Sequence, residues 1–288
     1  MKELVVISGK GGSGKTTLTA AFASLATEKV LCDADVDAAD LHLIVKPDIR
    51  ESHPFMAGHT AAIRPDDCTR CGKCIEVCRF SAINADFAVD PIACEGCGVC
   101  VYFCEAGAID FPENRAGDWF VSDTRFGPMV HARLGIAEEN SGKLVTQVRK
   151  AASEIAKSNG YRLILTDGPP GVGCPVIAAI GGASAVLIVT EPTLSGKSDM
   201  ERVVELAKHF SVPALVLVNK YDLNEAMTVE IERFSEAHRV TAVGRIPFDP
   251  VFTKSMVQAR TIFEYDPAAA ANRTVEAAWE RICGEVGI

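Results

Sequence analysis

The chain is 288 residues long, 48% apolar and 23% charged. That composition excludes wholesale disorder, and at this length about three quarters of the unfolded surface can be buried on folding. A net charge of −9 disfavours coating of phosphate backbones, so no nucleic-acid partner is expected.

In chain order, Lys2–Ser8 is short, apolar and β-branched and reads as a buried strand. A glycine-rich loop occupies residues 9–17. Thr16–Glu28 reads as a helix with Leu18, Ala21, Phe22, Leu25 and Ala26 on one face, and Lys29–Asp33 as a second strand. This order predicts a parallel pair with a right-handed crossover. Asp40 is placed to cap a short helix. Residues 46–59, with two prolines and two histidines, read as a linker.

Beyond this point the sequence repeats itself at a shift of 26 residues: Cys68/Cys94, Cys71/Cys97, Gly72/Gly98, Cys74/Cys100 and Cys78/Cys104 coincide. The α/β pattern then resumes. Asp118–Ser122 is a candidate strand, and Ser141–Ser158 a helix with Ser141 as a candidate N-cap. Tyr161–Asp167, Ala185–Thr190 and Ala214–Lys220 are near-continuous apolar runs, as parallel strands covered on both faces require. Helical patterns cover 175–182, 196–210, 225–238 and 268–286. The last places Val275, Ala278, Trp279 and Ile282 on one face, which reads as packed core rather than as a membrane-docking helix. Residues 1–56 and 113–288 are therefore expected to form one domain, interrupted by a separate unit at 57–112. Such an insertion costs little when the inserted unit folds by itself.

No apolar run approaches the roughly 18 residues of a membrane span, so no membrane anchor is expected. No small-residue cleavage site follows the first apolar run, and a cytoplasmic protein is expected. There are 11 cysteines, eight of them between Cys68 and Cys104. In a chain that otherwise reads as a cytosolic enzyme, thiols stay reduced, which favours metal ligation over a disulfide scaffold. The six histidines form no metal-binding pattern and are assigned no role.

Gly9-Lys10-Gly11-Gly12-Ser13-Gly14-Lys15-Thr16 fits G-x-x-x-x-G-K-[ST] between a strand and a helix. Such a loop turns backbone N–H groups toward phosphate oxygens, and the helix N-terminus adds a positive field. Lys15 is expected to reach the β/γ-phosphates and the Thr16 hydroxyl to bind Mg²⁺, which makes ATP/ADP and Mg²⁺ the expected ligands. The run from Lys10 to Thr17 resembles the deviant P-loop of the MinD/ParA/Mrp and nitrogenase-iron-protein superfamily. The resemblance implies that Lys10 acts across an ATP-dependent homodimer. It also implies that Asp35, in Cys32-Asp33-Ala34-Asp35, orients the attacking water, with Asp33 assisting near Mg²⁺. By the same likeness, Asp167 in Asp167-Gly168-Pro169-Pro170-Gly171-Val172-Gly173 holds Mg²⁺ through water. Asn219 recognises the base and Pro247 packs on it, although a strand-terminal Asn is also a common turn residue.

Cys68-x₂-Cys71-x₂-Cys74-x₃-Cys78 and Cys94-x₂-Cys97-x₂-Cys100-x₃-Cys104 each match the bacterial ferredoxin run. That likeness implies two [4Fe–4S] clusters with crossed ligands. One takes Cys68, Cys71, Cys74 and Cys104; the other takes Cys94, Cys97, Cys100 and Cys78. Zinc is the competing reading, but four-Cys zinc sites set their C-x₂-C pairs further apart. The proline usual after the fourth Cys is Arg79 in one copy and Glu105 in the other. Cys32 and Cys283 read as small buried residues. Cys174 reads either as a helix-start residue or as a ligand meeting its counterpart at a dimer axis.

The whole chain thus resembles a MinD-superfamily ATPase containing an inserted ferredoxin domain. The implied fold class is α/β, a doubly wound, mostly parallel sheet of the SIMIBI-type P-loop NTPase kind with an inserted α+β ferredoxin-like domain. The implied function is ATP hydrolysis coupled to electron transfer or metallocluster assembly, with a protein redox or metallocluster partner. The alternatives are a MinD/ParA-like positioning or assembly factor in which the clusters are sensors or structural, and an electron carrier with a silent nucleotide site.

Overall fold

The computed structural model describes residues 1–135 and 141–288. Its elements, in order, are β1 (Lys2–Ser8), α1 (Lys15–Leu25), β2 (Lys29–Asp33), α2 (Leu41–Val45), β3 (Asp48–His59), β4 (Ala62–Ile63), α3 (Lys73–Val77), α4 (Val99–Tyr102) and β5 (Ile109–Asp110). They continue with β6 (Glu113–Thr124), β7 (Gly127–Leu134), α5 (Ser141–Asn159), β8 (Leu163–Pro170), α6 (Cys174–Ile180), β9 (Ala185–Thr190) and α7 (Leu194–His209). The last are β10 (Ala214–Asn219), α8 (Glu225–Ala237), β11 (Thr241–Ile246), α9 (Pro250–Val257), α10 (Ile262–Tyr265) and α11 (Ala270–Val286). The chain divides into two compact units. The first comprises Met1–Ser52, Trp119–Arg133 and Ser141–Ile288, and the second His53–Asp118 with Leu134 and Gly135.

The large sheet has the order β11-β10-β9-β1-β8-β2-β7-β6-β3. From β11 to β7 every neighbouring pair is parallel, as the continuous apolar runs require. β6 and β7 are joined only by Arg125 and Phe126, a connection short enough for an antiparallel hairpin alone. Leu18, Ala21 and Phe22 of α1 are buried, and Phe22 stacks on Trp279 of α11 with ring centroids 5.2 Å apart. Val275, Ala278 and Ile282 of α11 join the same core. No helix among the described residues is long and apolar enough to cross a membrane.

Several boundaries differ from the sequence-based expectations. Residues 46–59 are no linker: 48–59 form β3, at the edge of the sheet. Its polar, exposed residues and Pro54 hid the strand, and an edge position is where a strand tolerates proline. α1 ends at Leu25 rather than Glu28, because Glu28 turns left-handed at φ 46° and its carbonyl accepts the N–H groups of Arg162 and Leu163. β6 is longer than the candidate strand at 118–122. The sequence pattern predicts neither β7 nor β11, and β8 runs on past Asp167 because Pro170 pairs with Ser8. The capping role of Ser141 lies outside the described residues.

In the second unit, β4 and β5 pair antiparallel with Ile63 opposite Ile109, and an isolated antiparallel bridge joins Ile83 to Val89. The 26-residue shift relates the two pairings: Ile63 corresponds to Val89, and Ile83 to Ile109. The start of each copy therefore pairs with the end of the other copy, around a common small core of Ala61, Cys74, Ile83 and Ile109. The backbone repeats too. Left-handed conformations recur at Arg70/Gly96, Gly72/Gly98 and Ser81/Gly107.

Candidate functional site

The loop after β1 is shaped by close approach. Gly14 has φ 87°, and a Cβ there would collide with the Asn219 amide, so this position requires glycine. Asn219, at the end of β10, donates its amide to the Ser13 carbonyl at 2.8 Å. Its Oδ1 accepts from Lys220 N at 3.0 Å, so both ends of the side chain are engaged by the protein.

Lys15 opens α1 and is buried. Its Nζ lies 3.0 Å from Asp167 Oδ1 and 3.3 Å from Asp35 Oδ2. Thr16 Oγ1 donates to Asp167 Oδ2 at 2.7 Å, and Thr19 Oγ1 donates to Asp167 Oδ1 at 2.9 Å. Burial pushes the Lys15 ammonium down, but the Asp167 and Asp35 carboxylates outweigh it and the net shift is upward. Asp33 is held well above the usual carboxylate range by burial and by the neighbouring Asp167; burial likewise raises Asp35, with Lys15 opposing. One lysine among three carboxylates leaves surplus negative charge, which suits a divalent cation. Among the described residues no three His, Cys, Asp or Glu side chains close around one ion. Mg²⁺ does not need such a cage, because it keeps several waters and takes its other ligands from one or two carboxylates and from phosphate.

The Asp40 expectation is corrected. Asp40 occupies the N-cap position of α2 but its side chain caps nothing; the Leu41 N–H goes instead to Asp33 Oδ2 at 3.3 Å. The other Asp33 oxygen accepts from Asp35 N at 3.2 Å. Because Asp33 is raised, the folded chain holds its proton to higher pH than the unfolded chain does, and stability falls as pH rises from about 4 through that raised value. Asp33→Asn is expected to flatten this fall. Urea denaturation of the nucleotide-free protein across the acid-to-neutral range checks it.

A cavity of about 440 Å³ is lined by Gly12, Lys15 and Asp35 together with Asn219, Pro247 and Phe248. Gly11, Gly14, Thr16 and Thr17 also face it. Ser13 is buried, and its Oγ has no hydrogen-bond partner among the described residues. An orphaned hydroxyl, a buried ammonium and a glycine cradle fit a phosphate-bearing ligand. Asp33 and Asp167 lie behind Lys15 rather than in the lining. Lys10 is exposed and its side chain makes no hydrogen bond or ion pair among the described residues.

In the second unit the eight repeat cysteines fall into two cavities. Cys68, Cys71, Cys74 and Cys104 line the first, of about 340 Å³. Cys78, Cys94, Cys97 and Cys100 line the second, a tighter space of about 20 Å³. Backbone N–H groups point at three of these sulfurs: Arg70 N at Cys68, Ala82 N at Cys78 and Ala108 N at Cys104, each at 3.4 Å. Four thiols per cavity with N–H donors behind them suit a cluster held by thiolates. Elsewhere, Cys32 is buried in β2 and burial raises its thiol; Cys283 is half-buried and raised for the same reason. Cys174 is exposed as the first residue of α6.

Residues 4–262 match the CobQ/CobB/MinD/ParA nucleotide binding domain. The chain belongs to that family. It is 35% identical to the uncharacterized protein MJ0578 of Methanocaldococcus jannaschii over 225 residues, covering 77% of this chain and 79% of that protein. It is 23% identical to the uncharacterized ATP-binding protein MJ0547 of the same organism, covering 96% and 85%. In fold it resembles the septum site-determining protein MinD of Pyrococcus horikoshii, solved with Mg-ADP, with a TM-score of 0.62, 18% identity and coverage of 99% and 97%. It also resembles apo McdA of Cyanothece, with a TM-score of 0.59, 16% identity and coverage of 96% and 99%.

Some residues of this CobQ/CobB/MinD/ParA-family site escaped the sequence reading. Thr19 lies one helical turn after Lys15, and that spacing was its only signal. Lys220 pairs with Glu191 and reaches Gly12 O at 3.4 Å. Arg125 donates to Val45 O at 2.7 Å and Ile44 O at 2.9 Å, closing the C-terminal end of α2. It also pairs with Glu264, whose carboxyl it pulls down to about 2. These contacts join residues distant in sequence, and no local pattern announces them.

Proposed function

We propose that this chain is a Mg²⁺-dependent ATPase that works as an ATP-dependent dimer, and that its cysteine-rich unit holds two [4Fe–4S] clusters coupled to the nucleotide cycle. The observation that carries the first half is the buried Lys15 between Asp35 and Asp167, with Thr16 on the same carboxylate. Family membership and an ATP-binding relative support it.

The loop N–H groups and Lys15 bind and orient the β- and γ-phosphates, which exchanges part of the Lys15 ion pairing for phosphate. When bound, Mg²⁺ would supply charge neutralisation, and Thr16 and, through water, Asp167 would hold it, with Asp33 assisting. Asp35 positions the water whose oxygen bonds to the γ-phosphorus as the bond to the ADP oxygen breaks, giving ADP and phosphate. Little covalent help is required, so positioning is the carboxylate's contribution. Lys10, exposed and without a side-chain partner among the described residues, would reach phosphate in the opposing subunit. Asn219 and Pro247 border the base end of the cavity.

The sorting of the cysteines into two quartets supports the second half. Bound clusters would supply one-electron storage, and Cys68, Cys71, Cys74 and Cys104, then Cys94, Cys97, Cys100 and Cys78, would hold them. The partner is then a protein that exchanges electrons or a metallocluster. Protein purified anaerobically is expected to contain about eight irons and eight acid-labile sulfides per chain. Stoichiometric zinc in their place would overturn the cluster assignment.

A further inference from the structure

The internal repeat gives the two cysteine cavities closely related backbones, so what differs between them falls on a few groups. All four Lys and Arg residues of the first copy, Arg64, Arg70, Lys73 and Arg79, are replaced in the second, by Asp90, Gly96, Val99 and Glu105. Residues 87–112 contain no Lys or Arg at all. The lining reflects this. Lys73 and Glu105 line the first cavity and offset one another, whereas Glu95 is the one charged side chain lining the second.

The sulfur hydrogen bonds differ in the same sense. Ala108 N to Cys104 has its repeat counterpart in Ala82 N to Cys78, both at 3.4 Å, and Cys74 and Cys100 each take a backbone hydrogen bond from the residue that follows. The Arg70 N–H to Cys68, at 3.4 Å, has no counterpart at Cys94 among the described residues, so the first quartet has one donor more. Lys73 also pairs with Glu76 at 3.1 Å, but Glu76 is 70% exposed and stands outside the lining, so the ammonium is the inner member of the pair.

Positive charge and N–H donors stabilise a centre that has gained an electron, and an unpaired carboxylate opposes it. Lining charge and donor number are independent observations, and both favour the first cavity. We infer that the two quartets are electrically inequivalent, with Lys73 and the Arg70 N–H making the first cavity the stronger electron acceptor and Glu95 making the second the weaker. An electron supplied by an external one-electron donor then resides on the first centre, and a second electron is needed to reduce the other. This gives the unit a direction of flow, from the Cys94/Cys97/Cys100/Cys78 side toward the Cys68/Cys71/Cys74/Cys104 side. The inference rests on the cluster reading above.

The test is an EPR-monitored titration of the full chain with dithionite under anaerobic conditions, with iron content measured on the same samples. Two separate one-electron steps of equal spin are expected. Lys73→Gln should lower the upper step and leave the lower in place; Glu95→Gln should raise the lower step and leave the upper in place. If the chain carries its full iron but both centres share one midpoint, the inference is overturned. It is also overturned if Lys73→Gln moves the lower step or neither. Absence of any iron–sulfur signal would instead remove the cluster reading itself, a result that iron analysis separates from the others.

Discussion

Lys15→Ala will abolish ATP turnover and nucleotide binding, and it will destabilise the ligand-free chain as well. Lys15 is the one cation among Asp33, Asp35 and Asp167, and its Nζ touches two of them within 3.3 Å. Removing one partner from a buried ion pair leaves an uncompensated charge and costs about 3–5 kcal/mol. The loss has a defined pH dependence. The raised Lys15 contributes its stability at every pH below its ordinary value of 10.5, so at neutral pH the wild type has it in full. In the variant the carboxylates escape their repulsion only by protonation, so the deficit is largest at neutral pH and shrinks toward about pH 4. Lys10→Ala provides the contrast. Lys10 is exposed and bears on no buried charge, so the fold and ADP binding should survive while hydrolysis falls with loss of the cross-subunit contact. Denaturant melts and ADP titrations of the two variants separate these roles; an equally destabilised Lys10→Ala would show that Lys10 belongs to the fold.

Cys104→Ala will remove the same cluster as Cys68→Ala, and Cys78→Ala the same cluster as Cys94→Ala. Sequence proximity alone gives the opposite grouping, since Cys78 is nearer Cys74 than any residue of the second run. The cavities are lined in the crossed sense. The repeat explains why: Ile63 near the start of the first copy pairs with Ile109 near the end of the second, which carries Cys104 toward Cys68. Each single variant is expected to lose about half of the iron, and EPR of the reduced protein should show the surviving centre unchanged within each pair. If Cys104→Ala and Cys94→Ala leave the same survivor, the crossed assignment is wrong.

The parallel core was legible because covered strands leave nothing but apolar residues, as in Ala185–Thr190, where the expected and observed bounds coincide. The phosphate loop was legible because its glycines, lysine and threonine are contiguous. β3 was not, since an edge strand needs neither apolar alternation nor freedom from proline. The Arg125 contacts to α2 and Glu264 were not, since only the tertiary fold brings them together. Asp33 was read as a magnesium neighbour; that it also takes the first N–H of α2 in place of Asp40 follows from the turn between them.

This last contact bears on coupling. α2 is held at its start by Asp33 and at its end by Arg125, and Arg125 lies in the turn that follows β6. In the chain, β3 begins soon after α2 and runs from the first unit into the second, and β6 runs back just before Arg125. If nucleotide binding alters the Lys15–Asp35 pairing or the Asp33 contacts, the change has a covalent route along the chain to the cysteines, and thermodynamic linkage requires the effect to run both ways. The direct measurement is the affinity for ATP and for ADP in dithionite-reduced and in oxidised protein. A coupled ATPase predicts that the ratio of the two affinities changes with oxidation state, with a matching change in reduction potential between the ATP and ADP forms. Equal ratios and equal potentials would contradict it and leave the cysteine-rich unit an uncoupled passenger on the ATPase.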